Sequence, residues 1–174
     1  MAPLRAMITV FSAVLSQAEH PEDEVGRTVA WSVGAGKARH GLRPVGGTAD
    51  SPPLAVVHYA RDERFITDGE GTHEIARAHG KELDVIGPVL STGRYTVRPG
   101  SRIQSLLTSQ TRFTVHRDRE PFMSVRESSH RRRTVRIFEL QPAEDFDPNV
   151  ALSLLLLFGA VDRQGVIGEL LGES

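Results

Sequence analysis

The chain has 174 residues, of which 39% are apolar and 25% charged, and its formal net charge at pH 7 is -1. This length suits one domain with a real hydrophobic core, and the composition argues against wholesale disorder and against electrostatic steering by the whole molecule. There is no cysteine, which excludes a disulfide framework and a thiolate metal site and fits a reducing, cytoplasmic compartment. We therefore expect a soluble globular domain in which any electrostatic recognition comes from local patches.

Residues 1–24 are predicted to form an N-terminal amphipathic helix that docks on the rest of the chain. Its apolar side chains follow the i, i+3, i+4 spacing of one helical stripe: Leu4, Met7, Ile8, Phe11, Leu15 and Ala18. His20-Pro21 would end the helix. A signal peptide and a membrane-surface helix are the alternatives, but Thr9 and Ser12 interrupt the apolar run that a signal peptide needs.

The next segment, residues 25–53, is predicted to hold one strand and a long loop. Val25–Val33 alternates apolar and polar residues, as a half-buried strand does. Residues 35–53 are rich in glycine and proline and poor in bulky apolar residues, which is typical of a loop or linker.

Residues 54–174 are predicted to be a β-rich domain. Short β-prone runs, bounded by turn-forming residues, recur about every ten residues. They are Leu54–Tyr59, Arg64–Thr67, His73–Ala76, Leu83–Ile86, Arg94–Arg98, Arg102–Leu106, Arg112–His116, Phe122–Arg126 and Thr134–Leu140. This pattern predicts an antiparallel meander, either a barrel or a sandwich.

The C-terminal part of this domain contains an apolar run, Val150–Val161, that is predicted to be a core helix over about residues 148–163. The run is apolar except for Ser153, and at 1.5 Å per residue it reaches roughly 18 Å, well short of the ~30 Å hydrocarbon core of a bilayer. Asp147 can cap the helix and Pro148 suits its first turn. A helix apolar on every side must be enclosed, so we expect no transmembrane segment and a β-barrel or meander around this helix.

Two predicted hairpins, residues 64–78 and 112–128, begin with similar strands (Arg64-Phe65-Ile66-Thr67 and Arg112-Phe113-Thr114-Val115). Together with the apolar stretch from Asp147 to Arg163, they resemble the tubby C-terminal-like superfamily, which includes LURP-one-related proteins and phospholipid scramblases. The resemblance covers residues 54–165 and implies a closed β-barrel around a central hydrophobic helix. The chain departs from the family in three ways. We count nine or ten strands rather than about twelve, the cysteine-rich segment of scramblases is absent, and no residues match the phosphoinositide-binding lysines of tubby domains.

No motif predicts catalysis, a cofactor or a metal. Gly34-Ala35-Gly36-Lys37 lacks the spacing of a phosphate loop and the third glycine of a dinucleotide fingerprint. His73 and His79 lie near Glu74 and Glu82, but surface or turn positions explain them better than a metal pair does. We therefore predict no catalytic and no metal-binding residue, although active-site groups can converge from distant positions.

One cluster of positive charge points toward a partner. Five arginines fall within eleven residues at a predicted turn between strands: Arg126, Arg131, Arg132, Arg133 and Arg136. Guanidinium groups suit phosphate because they donate hydrogen bonds in a planar fork and stay charged. The alternative is a solvated hairpin tip balanced by Glu127 and Glu139. No aromatic residue is interleaved with the arginines, which disfavours nucleic acid.

Three functions remain open on the sequence alone. The first is a non-catalytic binding module that recognises an anionic surface, either a lipid headgroup or a protein. The second is a structural or assembly subunit of a homo- or hetero-oligomer. The third is an enzyme of unrecognised mechanism.

Overall fold

The computed structural model of the chain describes residues 1–9, 11–31, 39–48, 50–60, 63–100, 111–128 and 135–160. In these ranges, twelve antiparallel strands close into a barrel, each pairing with its neighbours in the chain and β1 pairing with β12. The strands are β1 (Leu4–Thr9), β2 (Ser12–Gln17), β3 (Arg27–Trp31), β4 (Arg39–Pro44), β5 (Ala55–Ala60), β6 (Glu63–Asp68), β7 (Glu74–His79), β8 (Glu82–Val85), β9 (Gly93–Pro99), β10 (Arg112–Arg117), β11 (Glu120–Glu127) and β12 (Val135–Pro142). The predicted fold class, mainly β with an antiparallel barrel or meander enclosing an apolar C-terminal helix, is confirmed, and of the two arrangements the sheet forms a closed barrel.

The predicted N-terminal helix is wrong, because this segment forms the first two strands of the barrel. Leu4, Ala6 and Ile8 of β1 are buried while Met7 is exposed, so the side chains alternate with the period of a strand. Several apolar residues that mark one stripe of a helix also satisfy this alternation. The pairing of β1 with both β12 and β2 decides between the two structures.

The predicted loop 35–53 is also wrong in part, since β4 lies within it and pairs with β3 and β5. As a result the barrel runs from β1 to β12 without the boundary that we predicted near residue 54. The strands predicted from Leu54 onward match β5 to β12, apart from Arg102–Leu106, which lies outside the described residues. The two predicted hairpins are β6–β7 and β10–β11.

The apolar C-terminal run fills the barrel as an α-helix, α1 (Pro148–Leu154), that continues as a π-helix over Leu155–Ala160. Every residue from Val150 to Leu157 is 0% exposed. As predicted, Asp147 is the N-cap: its carboxylate accepts hydrogen bonds from the backbone N–H groups of Asn149 (2.9 Å) and Val150 (3.4 Å). Within the ranges described above, no helix is long and apolar enough to cross a membrane.

Two arginines hold the opposite end of this helix. Arg64 donates a hydrogen bond to the carbonyl of Leu157 (3.3 Å), and its guanidinium lies 5.0 Å from the centre of the Phe158 ring. Arg136 donates to the carbonyl of Gly159 (2.6 Å). Positive charge here complements the partial negative charge of the last carbonyls of a helix.

Candidate anion-binding site

A row of charged side chains runs across four strands on the outer surface of the barrel. Arg112 of β10 lies directly opposite Arg126 of β11, Arg126 lies opposite Glu139 of β12, and Glu139 lies opposite Arg5 of β1. We call these four residues the arginine row. It contains three guanidinium groups and one carboxylate.

A shallow trough of about 590 Å³ adjoins the row. Along it, Arg98 of β9 lies opposite Thr114 of β10, Thr114 lies opposite Ser124 of β11, and Ser124 lies opposite Gln141 of β12. The short side chains of Thr114 and Ser124 form the floor of the trough, because the longer side chains of arginine and glutamine lie around them. Arg98, Arg112 and Arg126 all line this trough.

Most of the positive charge in the trough is not neutralised by carboxylates of the described residues. Arg126 forms a salt bridge with Glu139, and this hydrogen bond from Arg126 holds the pKa of the Glu139 carboxyl below its usual range. Among the described residues, Arg98 and Arg112 contact no carboxylate, and Nε of Arg112 is buried without a hydrogen-bond acceptor. Like charges directly opposite one another destabilise a sheet, so the Arg112–Arg126 pair is expected to lower the stability of the barrel.

The structure places the predicted site residues in different environments. Arg126 is outward-facing, with 57% of its side chain exposed, and belongs to the arginine row. Arg131, Arg132 and Arg133 lie outside the described residues. Arg136 faces the interior with only 14% of its side chain exposed, and it is engaged within the protein. We therefore leave Arg136 out of the candidate site.

The role of Arg136 is structural. It forms a salt bridge with Glu127 (2.9 Å), whose side chain is 4% exposed, and also donates to the hydroxyl of Thr111 (3.1 Å). The same guanidinium donates a hydrogen bond to the carbonyl of Gly159 at the end of the central helix, so Arg136 connects β11, β12 and the helix. A buried charge is tolerated when a partner and further hydrogen bonds compensate it, as they do here.

Sequence reasoning missed Arg5, Arg98 and Arg112. Each strand that holds one of them has at most one other arginine, so no dense run of positive charge marks it in the sequence. The only available signal was their outward position on predicted strands, and strand pairing had to be known before they could be brought together with Arg126.

Inside the barrel, His40 of β4 is the most unusual polar group. It is 1% exposed, its ring lies 5.3 Å from that of Tyr59, and neither ring nitrogen has a hydrogen-bond partner among the described residues. Burial lowers the pKa of His40 to about 4 and raises the pKa of Tyr59 to about 12. Both rings are thus neutral near pH 7. No group of three metal-ligating side chains occurs in the described part of the chain.

The buried His40 predicts a specific loss of stability in mild acid. Its pKa is about 4 when folded against an ordinary 6.5, so the unfolded chain takes up the proton first. The contribution is intact above pH 6.5 and declines as the pH falls toward 4, by up to about 3 kcal/mol. Urea unfolding of the wild type and of His40→Leu between pH 7.5 and 4.5 should show a flatter pH dependence for the variant. Parallel curves would contradict the assignment.

Asp147 does not obscure this measurement. Burial by itself raises the pKa of its carboxyl, but the hydrogen bonds from Ser91, Asn149 and Val150 outweigh that effect and the net pKa is lowered from 3.8. Its contribution to stability is therefore lost only below pH 3.8, outside the window in which His40 acts.

Comparison with protein-family models, with curated proteins and with solved structures found no match for this chain.

Proposed function

We propose that the protein is a non-catalytic binding module that recognises an anionic surface through the arginine row and the adjoining trough. The observation that carries this proposal is Arg112 lying directly opposite Arg126, with Arg98 lining the same trough. Guanidinium groups placed together in this way, with one carboxylate among them, raise the local potential of a protein whose net charge is near zero.

Paired arginines elsewhere on the barrel surface provide a comparison for this site. Two exposed arginines elsewhere pair with carboxylates: Arg77 with Glu74 (2.6 Å) and Arg94 with Asp84 (2.9 Å). Such pairs are what a solvated sheet surface is expected to contain. Arg98 and Arg112 form no salt bridge with a described residue, and neither do Arg27, Arg39 and Arg119 elsewhere on the barrel. What distinguishes Arg98 and Arg112 is that they line one trough together with Arg126, where an anionic partner would supply the counter-charge.

Of the two anionic surfaces, a lipid headgroup layer is favoured over an acidic protein by the apolar residues beside Arg5. Met7 lies two residues farther along β1 on the same face and is 43% exposed. Its cross-strand neighbours are Val14 and Ile137. Phe11, in the connection between β1 and β2, is 75% exposed. Apolar side chains beside basic ones suit the interface of an anionic membrane.

A tubby-like assignment is part of the proposal. A barrel closed around an apolar helix is the architecture that this resemblance implies, and the described residues form twelve strands where the sequence suggested nine or ten. Fold likeness alone does not establish activity, so the lipid-binding hypothesis depends on the arginines described above.

The two alternative functions, an assembly subunit and an enzyme, predict different properties. An assembly subunit would form oligomers of defined mass without an anionic partner, which light scattering after size exclusion would detect. An enzyme would require catalytic groups in contact. The unusual interior polar group, His40, has no hydrogen-bonded partner among the described residues that could act with it.

The proposal is tested by the double variant Arg98→Gln/Arg112→Gln. Glutamine keeps much of each side chain and removes the charge. At about 1 kcal/mol per arginine near an anionic membrane, affinity for phosphatidylserine-containing vesicles should fall at least tenfold. Retention on heparin should fall as well, and binding by the wild type should weaken steeply with salt. Vesicle co-sedimentation and heparin chromatography measure these effects.

The matched control is Arg77→Gln/Arg94→Gln, which removes the same charge from the paired arginines elsewhere on the barrel. If both double variants lose binding equally, recognition depends on the net charge of the protein, and the proposal that the trough is the binding site is wrong. Arg131→Ser/Arg132→Ser/Arg133→Ser, measured in parallel, tests the predicted arginine cluster. Phe11→Ser tests whether the anionic surface is a membrane. Loss of this exposed apolar side chain should weaken vesicle binding and leave heparin retention unchanged.

A further inference from the structure

We propose that the floor of the trough is a binding site for a phosphate monoester group, with the hydroxyls of Thr114 and Ser124 as hydrogen-bond donors and the guanidinium groups of Arg98, Arg112 and Arg126 around them. This inference rests on the proposed function and specifies the ligand chemistry of the same site.

The two hydroxyls are placed to contact one ligand group. Thr114 and Ser124 are directly opposite residues on neighbouring strands, both exposed and facing outward. The Cβ atoms of such a pair lie about 4.5–5.5 Å apart, so each hydroxyl can donate to a different oxygen of one phosphate. Neither hydroxyl is bonded to another of the described residues, which leaves both available as donors.

The surrounding charge matches a dianion better than a monoanion. Arg98 lies next to Thr114 across the strands, and Arg112 and Arg126 lie two residues from Thr114 and Ser124 along their own strands. A phosphate monoester carries a charge of about -1.5 to -2 at pH 7 and has three strong acceptor oxygens. A diester carries one charge and has fewer free oxygens. Hydrogen bonds to such charged oxygens are shorter and stronger than neutral ones.

The remaining polar groups of the trough do not compete with this ligand. The amide of Gln141 donates to the carbonyl of Met1 (3.0 Å), so it is already engaged. The carboxylate of Glu139 opposes an anion, but its negative charge is compensated by the salt bridge with Arg126. Glu139 also lies two residues along β12 from Gln141, the residue opposite Ser124, and so it is not part of the hydroxyl floor.

The test compares a phosphate monoester with a diester in two forms. Free glycerol 2-phosphate and dimethyl phosphate are titrated at constant ionic strength, with the amide resonances of Thr114 and Ser124 as the readout. Vesicles containing phosphatidic acid or phosphatidylglycerol at equal mole fraction present the same two groups on a membrane. The wild type should prefer the monoester by about tenfold, the value of roughly one charge-assisted hydrogen bond.

The diagnostic variant is Thr114→Val/Ser124→Ala, which removes both hydroxyls and keeps every charge. It should lose the preference for the monoester, with about a tenfold drop in affinity, and retain diester and heparin binding. Thr96→Val, at an outward-facing threonine of β9 outside the trough, is the matched control and should behave as the wild type does. If the double variant melts at a lower temperature, Ser124→Ala alone is used in its place.

The outcomes separate the two proposals. Binding of free glycerol 2-phosphate would show that a phosphate monoester group is sufficient for recognition. If only phosphatidic acid binds, and its binding depends on the two hydroxyls, the ligand is the phosphate monoester of a lipid headgroup. A hydroxyl-free variant that still prefers the monoester, or a wild type that binds both esters equally, would overturn the phosphate site and leave the anionic surface intact. A wild type that binds no vesicle, phosphate or heparin would overturn both.

Discussion

Replacing Leu155 with aspartate is expected to prevent the chain from folding. Leu155 is 0% exposed where α1 passes into the π-helix at the centre of the barrel. An unpaired carboxylate there costs several kcal/mol or drives protonation of the group, and a domain of this size has only about 5–15 kcal/mol of stability in total. The variant should show no cooperative thermal transition by circular dichroism and should expose apolar surface to a hydrophobic dye.

Leu155→Met is the matched control, because it conserves volume and apolarity and should cost less than about 1.5 kcal/mol. Cooperative melting of Leu155→Asp near the wild-type temperature would mean that water reaches this position, and the enclosed helix would then be refuted.

Deleting residues 2–17 is expected to destroy the barrel, and it has the second largest effect that we predict. The deletion removes β1 and β2, which join β12 to β3 and so close the sheet. It also removes five buried side chains: Leu4, Ala6, Ile8, Ala13 and Leu15. Each large one contributes about 1.5–3 kcal/mol, and the two edges left open would favour aggregation.

The truncated protein should therefore lack a cooperative melting transition in calorimetry. Met7→Ser, an outward-facing change in the same strand, should shift stability by only about 0.5 kcal/mol. A truncated chain that still melts cooperatively would restore the N-terminal segment to the role that we first predicted for it, an appendage to a complete domain.

The strands from β5 to β12 could be predicted because local signals agree there. β-branched and aromatic residues alternate with polar ones, and glycine, proline or aspartate marks the turns. In β1 and β2 the same kinds of apolar residue also match one helical stripe, and no strong turn signal separates the strands. Such segments are decided by pairing partners, and the partner of β1 is β12, more than a hundred residues away in the chain.

The candidate site was predictable only through Arg126. Arg126 and Arg136 stand ten residues apart in one basic cluster, yet Arg126 faces solvent and Arg136 holds the central helix. A strand changes face at every residue, so a prediction from charge density alone cannot separate the two. Conversely, Arg5, Arg98 and Arg112 join Arg126 from three other strands, and only the cross-strand register shows that they share a surface.

The sequence by itself determined the apolar C-terminal helix, its cap at Asp147 and its need to be enclosed by protein. It also determined most of the strands, since the period of the side chains and the chemistry of the turns are local properties of the chain. The tertiary structure alone decided the closure of the barrel, the number of its strands and the grouping of arginines beside Thr114 and Ser124. Closure depends on the pairing of β1 with β12, which are distant in sequence and whose hydrogen bonds leave the sheet no free edge. The grouping of the arginines depends on the register between β9, β10 and β11, and a shift of one residue would turn each side chain to the other face.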